Sequence, residues 1–315
     1  MSQPMLSVEQ ALERVLRAFH PLEPAPVPIL DALGCVLAED VHAGEDIPPY
    51  ANSSMDGYAV RAADTAGASA EHPARLRVVG EIAAGHVDQT PIEPGTAMRI
   101  MTGAPLPSDG DRLAVVKVED TAAQQDWVDV YVEVPPDNYV RPAGEDVRRG
   151  ERVLPRGARL RPQEIGMLAT LGHPQVAVHR RPRVAILATG DEVLPIDEAL
   201  TPGKIRNANS YSNAAQVRKH GGVPVLLGIA RDDVDDLTAR IRAGLAQDVD
   251  LFLSSGGVSM GEFDLVKDIL TAEGAIDFWK VCMKPGKPLA FGHIGDVPFL
   301  GLPGNPVSVM VSLEM

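Results

Sequence analysis

Apolar positions open the chain at helical spacing. Val8, Leu12, Val15, Leu16 and Phe19 fall on one face of a 3.6-residue repeat, and Ser7 with Gln10 has capping-box spacing, so a first amphipathic helix is predicted here. Pro21, Pro24, Pro26 and Pro28 then forbid regular helix. Between about residues 46 and 138 the texture changes. The runs 75–79, 97–101, 113–118 and 127–134 are short, β-branched and separated by Gly, Pro and Asp, the pattern of a small all-β unit. Pro162 starts a second helix that Gly172 ends. Pairing of this helix with the first would make the β unit an insertion.

From about residue 183 the rhythm is strand, loop, helix, repeated. Residues 183–188 read as a buried strand. Asn209 or Ser210 can cap a helix that runs to Lys219 and closes at Gly221-Gly222. Strands follow at 223–229 and 250–253 and helices at 232–246 and 264–272. Extended segments at 276–283, 288–291 and 298–300 lead into Gly304-Asn305-Pro306 and a last helix. Such alternation predicts an α/β domain with a mostly parallel sheet and helices on both faces, preceded by a mixed α+β region. The expected divisions are 1–45 with 140–178, an inserted β subdomain at 46–139, and the α/β domain at 179–315.

Composition narrows the partners. The formal charge is −14, so the whole-protein field repels nucleic acid and acidic membranes, and an anionic ligand must be held by local donors. Aromatics are only 4%, which leaves few stacking surfaces for bases. Cys35 and Cys282 form no CxxC pair and the histidines have no zinc spacing, so two buried thiols in a cytosolic protein are expected. The amphipathic start has no apolar signal core, and no 18-residue apolar run occurs.

In open α/β sheets the ligand sits outside the carboxyl ends of the strands. The residues just beyond those ends are Thr189-Gly190-Asp191-Glu192, Arg231-Asp232-Asp233, the stretch from Ser254-Ser255-Gly256-Gly257 to Asp264, then Lys280, Lys284-Pro285-Gly286-Lys287-Pro288 and Gly304-Asn305-Pro306. Gly-rich backbone and helix starts favour phosphate, and lysines add point charge. Carboxylates beside an anion would repel it unless a divalent cation lies between, and Mg²⁺ held by one or two of them fits. Each piece alone has a plainer reading. Asp191 and Asp233 are better taken as helix caps, and Asn305-Pro306 starts a helix whether or not anything binds. The combination at one sheet edge favours a ligand site. Neither a Walker A loop nor GxGxxG is present. In the first half, Asp56 beside Gly57 reads as a turn acid and Thr102 as a turn hydroxyl.

Six motifs in order carry a resemblance: Asn52-Ser53-Ser54-Met55-Asp56-Gly57-Tyr58-Ala59, Arg99-Ile100-Met101-Thr102-Gly103-Ala104-Pro105, Ala188-Thr189-Gly190-Asp191-Glu192, Ser254-Ser255-Gly256-Gly257-Val258-Ser259, Lys284-Pro285-Gly286-Lys287-Pro288 and Gly301-Leu302-Pro303-Gly304-Asn305-Pro306. Together they resemble the molybdopterin molybdenumtransferase family, the group of MoeA and the gephyrin E domain. The resemblance implies a three-layer α/β domain of molybdopterin-binding type. It also implies insertion of molybdate into adenylylated molybdopterin with Mg²⁺-dependent release of AMP. Carried over by position, Glu192, Asp232 and Asp264 would hold the metal and the adenylyl phosphate. Lys280 and Lys284 would hold phosphate or molybdate, and Asp56 and Thr102 would close the pocket. Gly190, Ser254, Gly256, Gly257, Ser259, Gly286, Pro303, Gly304 and Asn305 would contact substrate.

Family members are homodimers with a site shared between subunits, and molybdopterin adenylyltransferase would be the upstream partner. They continue past the position of Met315 into a small C-terminal β domain, which the resemblance does not find in this chain. Two other readings compete. One is molybdopterin adenylyltransferase itself, whose domain resembles residues 183–315; the motifs around Asp56 and Thr102 argue against it. The other is a non-catalytic scaffold related to gephyrin.

Overall fold

The computed structural model describes residues 5–83, 85–88, 90–107, 113–256 and 274–315. Asp264, Gly257 and Ser259, and the helix expected at 264–272, lie outside the described residues. The chain forms two compact units. One comprises Met1–Ala38, Arg159–Ile165 and Gln175–Met315, the other Glu39–Ala158 and Gly166–Pro174.

The second unit is built on a six-stranded sheet. Its strands are β1 (Gly57–Arg61), β2 (Ala74–Ile82), β3 (Thr96–Ile100), β4 (Leu113–Lys117), β5 (Thr121–Gln124) and β6 (Trp127–Val130), in the order β4-β1-β3-β2-β6-β5. Only the β2–β3 pair is parallel. The two-residue period sends Tyr58 and Val60 into one core with Val116 and Val128, and Ala59 into another with Met98, Ile100 and Val115. Gly57 is required at the start of β1, because a Cβ there would lie 2.0 Å from the Val116 carbonyl oxygen.

In the first unit, helix α1 (Val8–Leu16) has the capping box that Ser7 and Gln10 predict. Its partner differs from the one expected. Ala11 packs with Trp279, Val281 and Phe291, and among the described residues that core includes none from helix α2 (Pro162–Thr170). The proline-rich stretch is an edge strand, Pro24–Pro28, antiparallel to Gln175–His179. Prolines at every second position put all the missing N–H groups on one side of the strand, so an edge tolerates them.

The main sheet of this unit contains β7 (Arg183–Thr189), β8 (Val223–Ala230), β9 (Leu251–Ser255), β10 (Gly274–Lys280), β11 (Pro288–Ile294) and β12 (Val297–Leu302), in the order β8-β7-β9-β12-β11-β10. The first four in that order are mutually parallel, and β11 runs antiparallel to both its neighbours. The sheet is therefore mixed. Helices α3 (Ala208–Lys219), α4 (Val234–Leu245) and α5 (Pro306–Glu314) pack on it. Ala185 and Leu187 of β7 meet Leu237 and Ile241 of α4, whereas Val184 and Ile186 meet Val217 of α3 and Leu313 of α5. Burial on both sides explains why this strand reads as a continuous apolar run rather than an alternating one. Helix α3 is capped by Asn207, whose side chain accepts from the Ser210 N–H, and not by Asn209 or Ser210. No described helix is long and apolar enough to cross a membrane.

Candidate functional site

Strand register fixes which residues share an edge. Ala230 of β8 sits opposite Thr189 of β7, Ala188 opposite Ser255 of β9, and Ser255 opposite Leu302 of β12. Because β11 is antiparallel, it starts at this same edge, with Pro288 opposite Lys280. Asp232, Gly190, Gly256, Pro303 and Lys280 therefore follow one another along the carboxyl edge. The chain leaves β7 for β8 on one side and later enters β9 on the other. That makes the β7–β9 crevice the topological switch point, where open α/β sheets bind ligands.

A small pocket of about 60 Å³ lies there, walled by Thr189, Glu192, Asn207, Asn209, Ser255 and Gly304. Two glycines shape it. Gly190 has φ +126°, and a Cβ there would lie 2.4 Å from Glu192 Oε2, so the carboxylate folds back over the glycine. Gly256 has φ +94°, and a Cβ there would lie 2.8 Å from Thr189 Oγ1 and 3.0 Å from the Thr189 carbonyl oxygen. Asn209 Nδ2 donates to the Gly304 carbonyl at 2.8 Å and so ties the first turn of α3 to the loop before α5. Asn209 Oδ1, Ser254 Oγ and Ser255 Oγ are buried with no hydrogen-bond partner among the described residues. A buried polar atom left in that state is costly, and a ligand with donors and acceptors would satisfy it.

The adjacent aspartates have separate tasks. Asp233 Oδ1 accepts from the Asp235 and Asp236 N–H groups at 3.0 Å each, which makes it the N-cap of α4 as its sequence context suggests. Asp232 is free of that duty and interlocks with Asp191. Asp191 Oδ1 accepts from the Asp232 N–H at 3.2 Å, and Asp232 Oδ2 accepts from the Asp191 N–H at 3.4 Å. Asp191 thus caps no helix, contrary to the expectation for it, because a turn and a short strand follow it instead. Lys204, which sequence reasoning did not single out, donates to the Asp191 carbonyl at 2.7 Å. Its position after Pro202-Gly203, with Gly203 at φ +83°, was the available signal.

The described residues contain no group of three His, Cys, Asp or Glu side chains arranged to hold a metal. Glu192 walls the crevice pocket and Asp232 does not, and both carry hard carboxylate oxygens, the donor type that a divalent cation such as Mg²⁺ takes together with water and phosphate. At the far end of the edge, Lys280 is half-buried and closes β10. It stands four strands from Thr189, roughly 19 Å at about 4.8 Å per strand. Lys284 is exposed in the loop that follows. Gly286 is buried at φ +100°, and a Cβ there would meet Ser312 Oγ of α5 at 2.7 Å. Asn305 caps α5, its Oδ1 accepting from the Val307 and Ser308 N–H groups at 3.0 and 3.2 Å. Those two donors are then occupied, so α5 offers an anion its dipole more than free N–H groups.

In the second unit the two motifs of the first half form one element. Ser53 N–H donates to the Ala104 carbonyl and Gly103 N–H to the Ser53 carbonyl. Asp56 Oδ1 accepts from both the backbone N–H and the hydroxyl of Thr102, each at 2.7 Å, across 46 residues of sequence. The Thr102 N–H foremost, then its hydroxyl and the Arg99 charge, hold the Asp56 carboxyl below the usual carboxylate range against a small opposing effect of burial. Asp56 is therefore not the local turn acid that its neighbour Gly57 suggests.

Residues 6–172 match the MoeA N-terminal region (domain I and II), and residues 185–315 match the probable molybdopterin binding domain. The chain is 40% identical to molybdopterin molybdenumtransferase 2 of Mycobacterium tuberculosis over 99% of its own length and 78% of that protein. It is 42% identical to the molybdopterin molybdenumtransferase of a Nostoc species, over 89% of this chain and 65% of the other. The crystal structure of the molybdopterin biosynthesis MoeA protein from Pyrococcus horikoshii superposes with a TM-score of 0.82 at 32% identity, covering 99% of this chain and 77% of that one.

Proposed function

The chain belongs to the MoeA family of molybdopterin molybdenumtransferases, and from that premise we propose that it inserts molybdate into adenylylated molybdopterin with Mg²⁺-dependent release of AMP. The observation that carries this reading is the row of carboxylates, unpartnered polar atoms and lysines along the carboxyl edge of the mixed sheet. A substrate with a pterin at one end, a pyrophosphate in the middle and a nucleotide at the other is long enough to engage groups spread over roughly 19 Å.

Glu192 and Asp232, together with Asp264, are assigned to Mg²⁺. When bound, that ion supplies Lewis-acid polarisation of the adenylyl phosphate. Asn209 and Ser255, which wall the crevice pocket, orient the substrate through their unpartnered atoms, and Ser254 is assigned to substrate on the family resemblance alone. Lys280 and Lys284 neutralise phosphate or molybdate. Thr102 keeps Asp56 ionised as an acceptor-only group. AMP release is a hydrolysis: the water oxygen bonds to the adenylyl phosphorus, the bond from that phosphorus to the bridging oxygen breaks, that oxygen leaves with its electron pair on the terminal phosphate of molybdopterin, and the water's proton passes to solvent.

The proposal extends to a cytoplasmic homodimer in which the Asp56–Thr102 element of one subunit serves the α/β domain of the other. It also takes in the three-layer arrangement of that domain, the β unit as an insertion, and molybdopterin adenylyltransferase as supplier of the substrate. Incubation of the protein with adenylylated molybdopterin, Mg²⁺ and molybdate should release AMP and yield molybdenum-loaded product. Absence of both would overturn the reading.

A further inference from the structure

A second cavity lies at the opposite, amino edge of the main sheet. Its volume is about 360 Å³, within the size range of small-molecule sites. Phe19, Leu22, Val36, Val184 and Leu251 give it an apolar body, and Cys35, only 7% exposed, forms part of the wall. Charge is gathered at its margin.

The charges there do not balance. Arg180 reaches both carboxylate oxygens of Asp250, and Asp250 also accepts from the Arg183 N–H, so that pair is neutral and its acid fully engaged. Arg181 has no acid. Its guanidinium donates to two carbonyls, Leu33 O at 2.7 Å and Gly221 O at 3.3 Å. Carbonyls orient a guanidinium without neutralising it, and five donors leave it capacity for a further acceptor. His20, His179 and His220 line the same cavity. Of these, His179 Nδ1 meets the Leu22 carbonyl, and His220 Nε2 faces Glu314, a carboxylate already held by Lys219. An oriented, unneutralised arginine beside an apolar cavity is the complement of one anionic group on a hydrophobic body.

We propose that this cavity is a second small-molecule site, for an apolar monocarboxylate whose carboxylate meets Arg181 and whose body fills the space beside Val36 and Leu251. It is independent of the carboxyl-edge chemistry. Its ligand would bridge the 33–36 segment, the start of β7 and the turn after α3, the three pieces that Arg181 already links.

Cys35 in the wall is a built-in reporter, and Cys282, exposed rather than buried as its sequence context suggests, is an internal control. Benzoate and its neutral analogue benzyl alcohol serve as probes, read by calorimetry and by the rate at which iodoacetamide alkylates each cysteine. Benzoate should slow alkylation of Cys35 and not of Cys282, and should bind at least tenfold more tightly than benzyl alcohol. Arg181→Gln should abolish that preference. Val36→Trp, which fills the space and leaves the guanidinium in place, should abolish protection by both probes. Equal binding of the two probes, an undiminished benzoate affinity in R181Q, or no protection of Cys35 at millimolar benzoate would each overturn the proposal.

Discussion

Replacing Asp232 and Asp233 by alanine, one at a time, should give opposite phenotypes from neighbouring residues of the same type. Asp233 satisfies two first-turn N–H groups of α4 at 3.0 Å each. Helix α4 supplies Leu237 and Ile241 to the core it shares with Ala185 and Leu187 of β7 and Phe252 of β9, so fraying at its start is transmitted to the sheet. Loss of such a cap costs about 1 kcal/mol, and loss of the negative charge at the helix start adds up to about 1 kcal/mol more. Asp235 and Asp236 remain in the first turn and soften the second effect. Asp233→Ala should therefore lower the unfolding free energy by about 1–2 kcal/mol while AMP release per folded molecule stays near wild type. The Asp232 carboxylate is exposed and, among the described residues, accepts only a long 3.4 Å bond from the Asp191 N–H, while the bond its own N–H makes to Asp191 survives truncation. Asp232→Ala should change stability by less than about 0.5 kcal/mol, as surface substitutions usually do, and should reduce AMP release by at least about a hundredfold at fixed Mg²⁺, the scale of losing one electrostatic contact to the transition state. Urea unfolding with an unchanged slope reads the first quantity, and a coupled AMP assay reads the second. If Asp233→Ala abolished turnover at near-native stability, or Asp232→Ala left turnover intact, the division of labour drawn from these contacts would be wrong.

Other substitutions test other parts of the argument. Gly256→Ala puts a side chain at φ +94° within 3.0 Å of the Thr189 backbone; strain of about 1–2 kcal/mol and overlap of similar size should destabilise the protein by about 2–4 kcal/mol, and a neutral effect in thermal unfolding would refute the close approach of β7 and β9. Asn213 is fully buried in α3 with neither amide atom partnered among the described residues, so Asn213→Leu should raise stability by about 1 kcal/mol, whereas a loss of that size in urea unfolding would mean that the amide is hydrogen-bonded in solution. The depressed Asp56 carboxyl means that its bond to Thr102 is fully present above the ordinary carboxylate pKa of about 4 and is lost as pH falls through the lower, folded-state value. Thr102→Val removes the hydroxyl donor and keeps the N–H, so the Asp56 midpoint followed by carbon NMR should move up; an unmoved midpoint would show that the hydroxyl contributes nothing.

Local rules written in a few consecutive residues were legible in the sequence. The Ser7–Gln10 capping box, the helix start at Asn305-Pro306 and the doubly buried run of β7 needed no distant partner to be read. Choices made by tertiary contacts were not. Among Asn207, Asn209 and Ser210 the cap falls on Asn207, while Asn209 is drawn to the Gly304 carbonyl nearly a hundred residues away. Asp191 looked like a cap until its neighbour across the sheet edge proved to be Asp232. The Asp56–Thr102 bond joins two motifs that spacing could name but not connect. The stretch from Pro24 to Pro28 shows the reverse case, where residues unsuited to most strands are admitted because only one edge is paired.

The row of groups at the carboxyl edge also behaves as a ruler graduated in strands. Between the crevice at β7–β9 and Lys280 lie β12 and β11, a hairpin turning at Gly295-Asp296 that brings the chain back to the edge it left. Those two strands are spacers as much as core elements. A relative that lost them would draw its terminal lysine inward by about 10 Å, and one that gained a pair would push it outward by as much. Selection for substrate length would then be written in the number of strands, where point mutation cannot reach it, while the loops remain free to tune which chemical group each graduation receives.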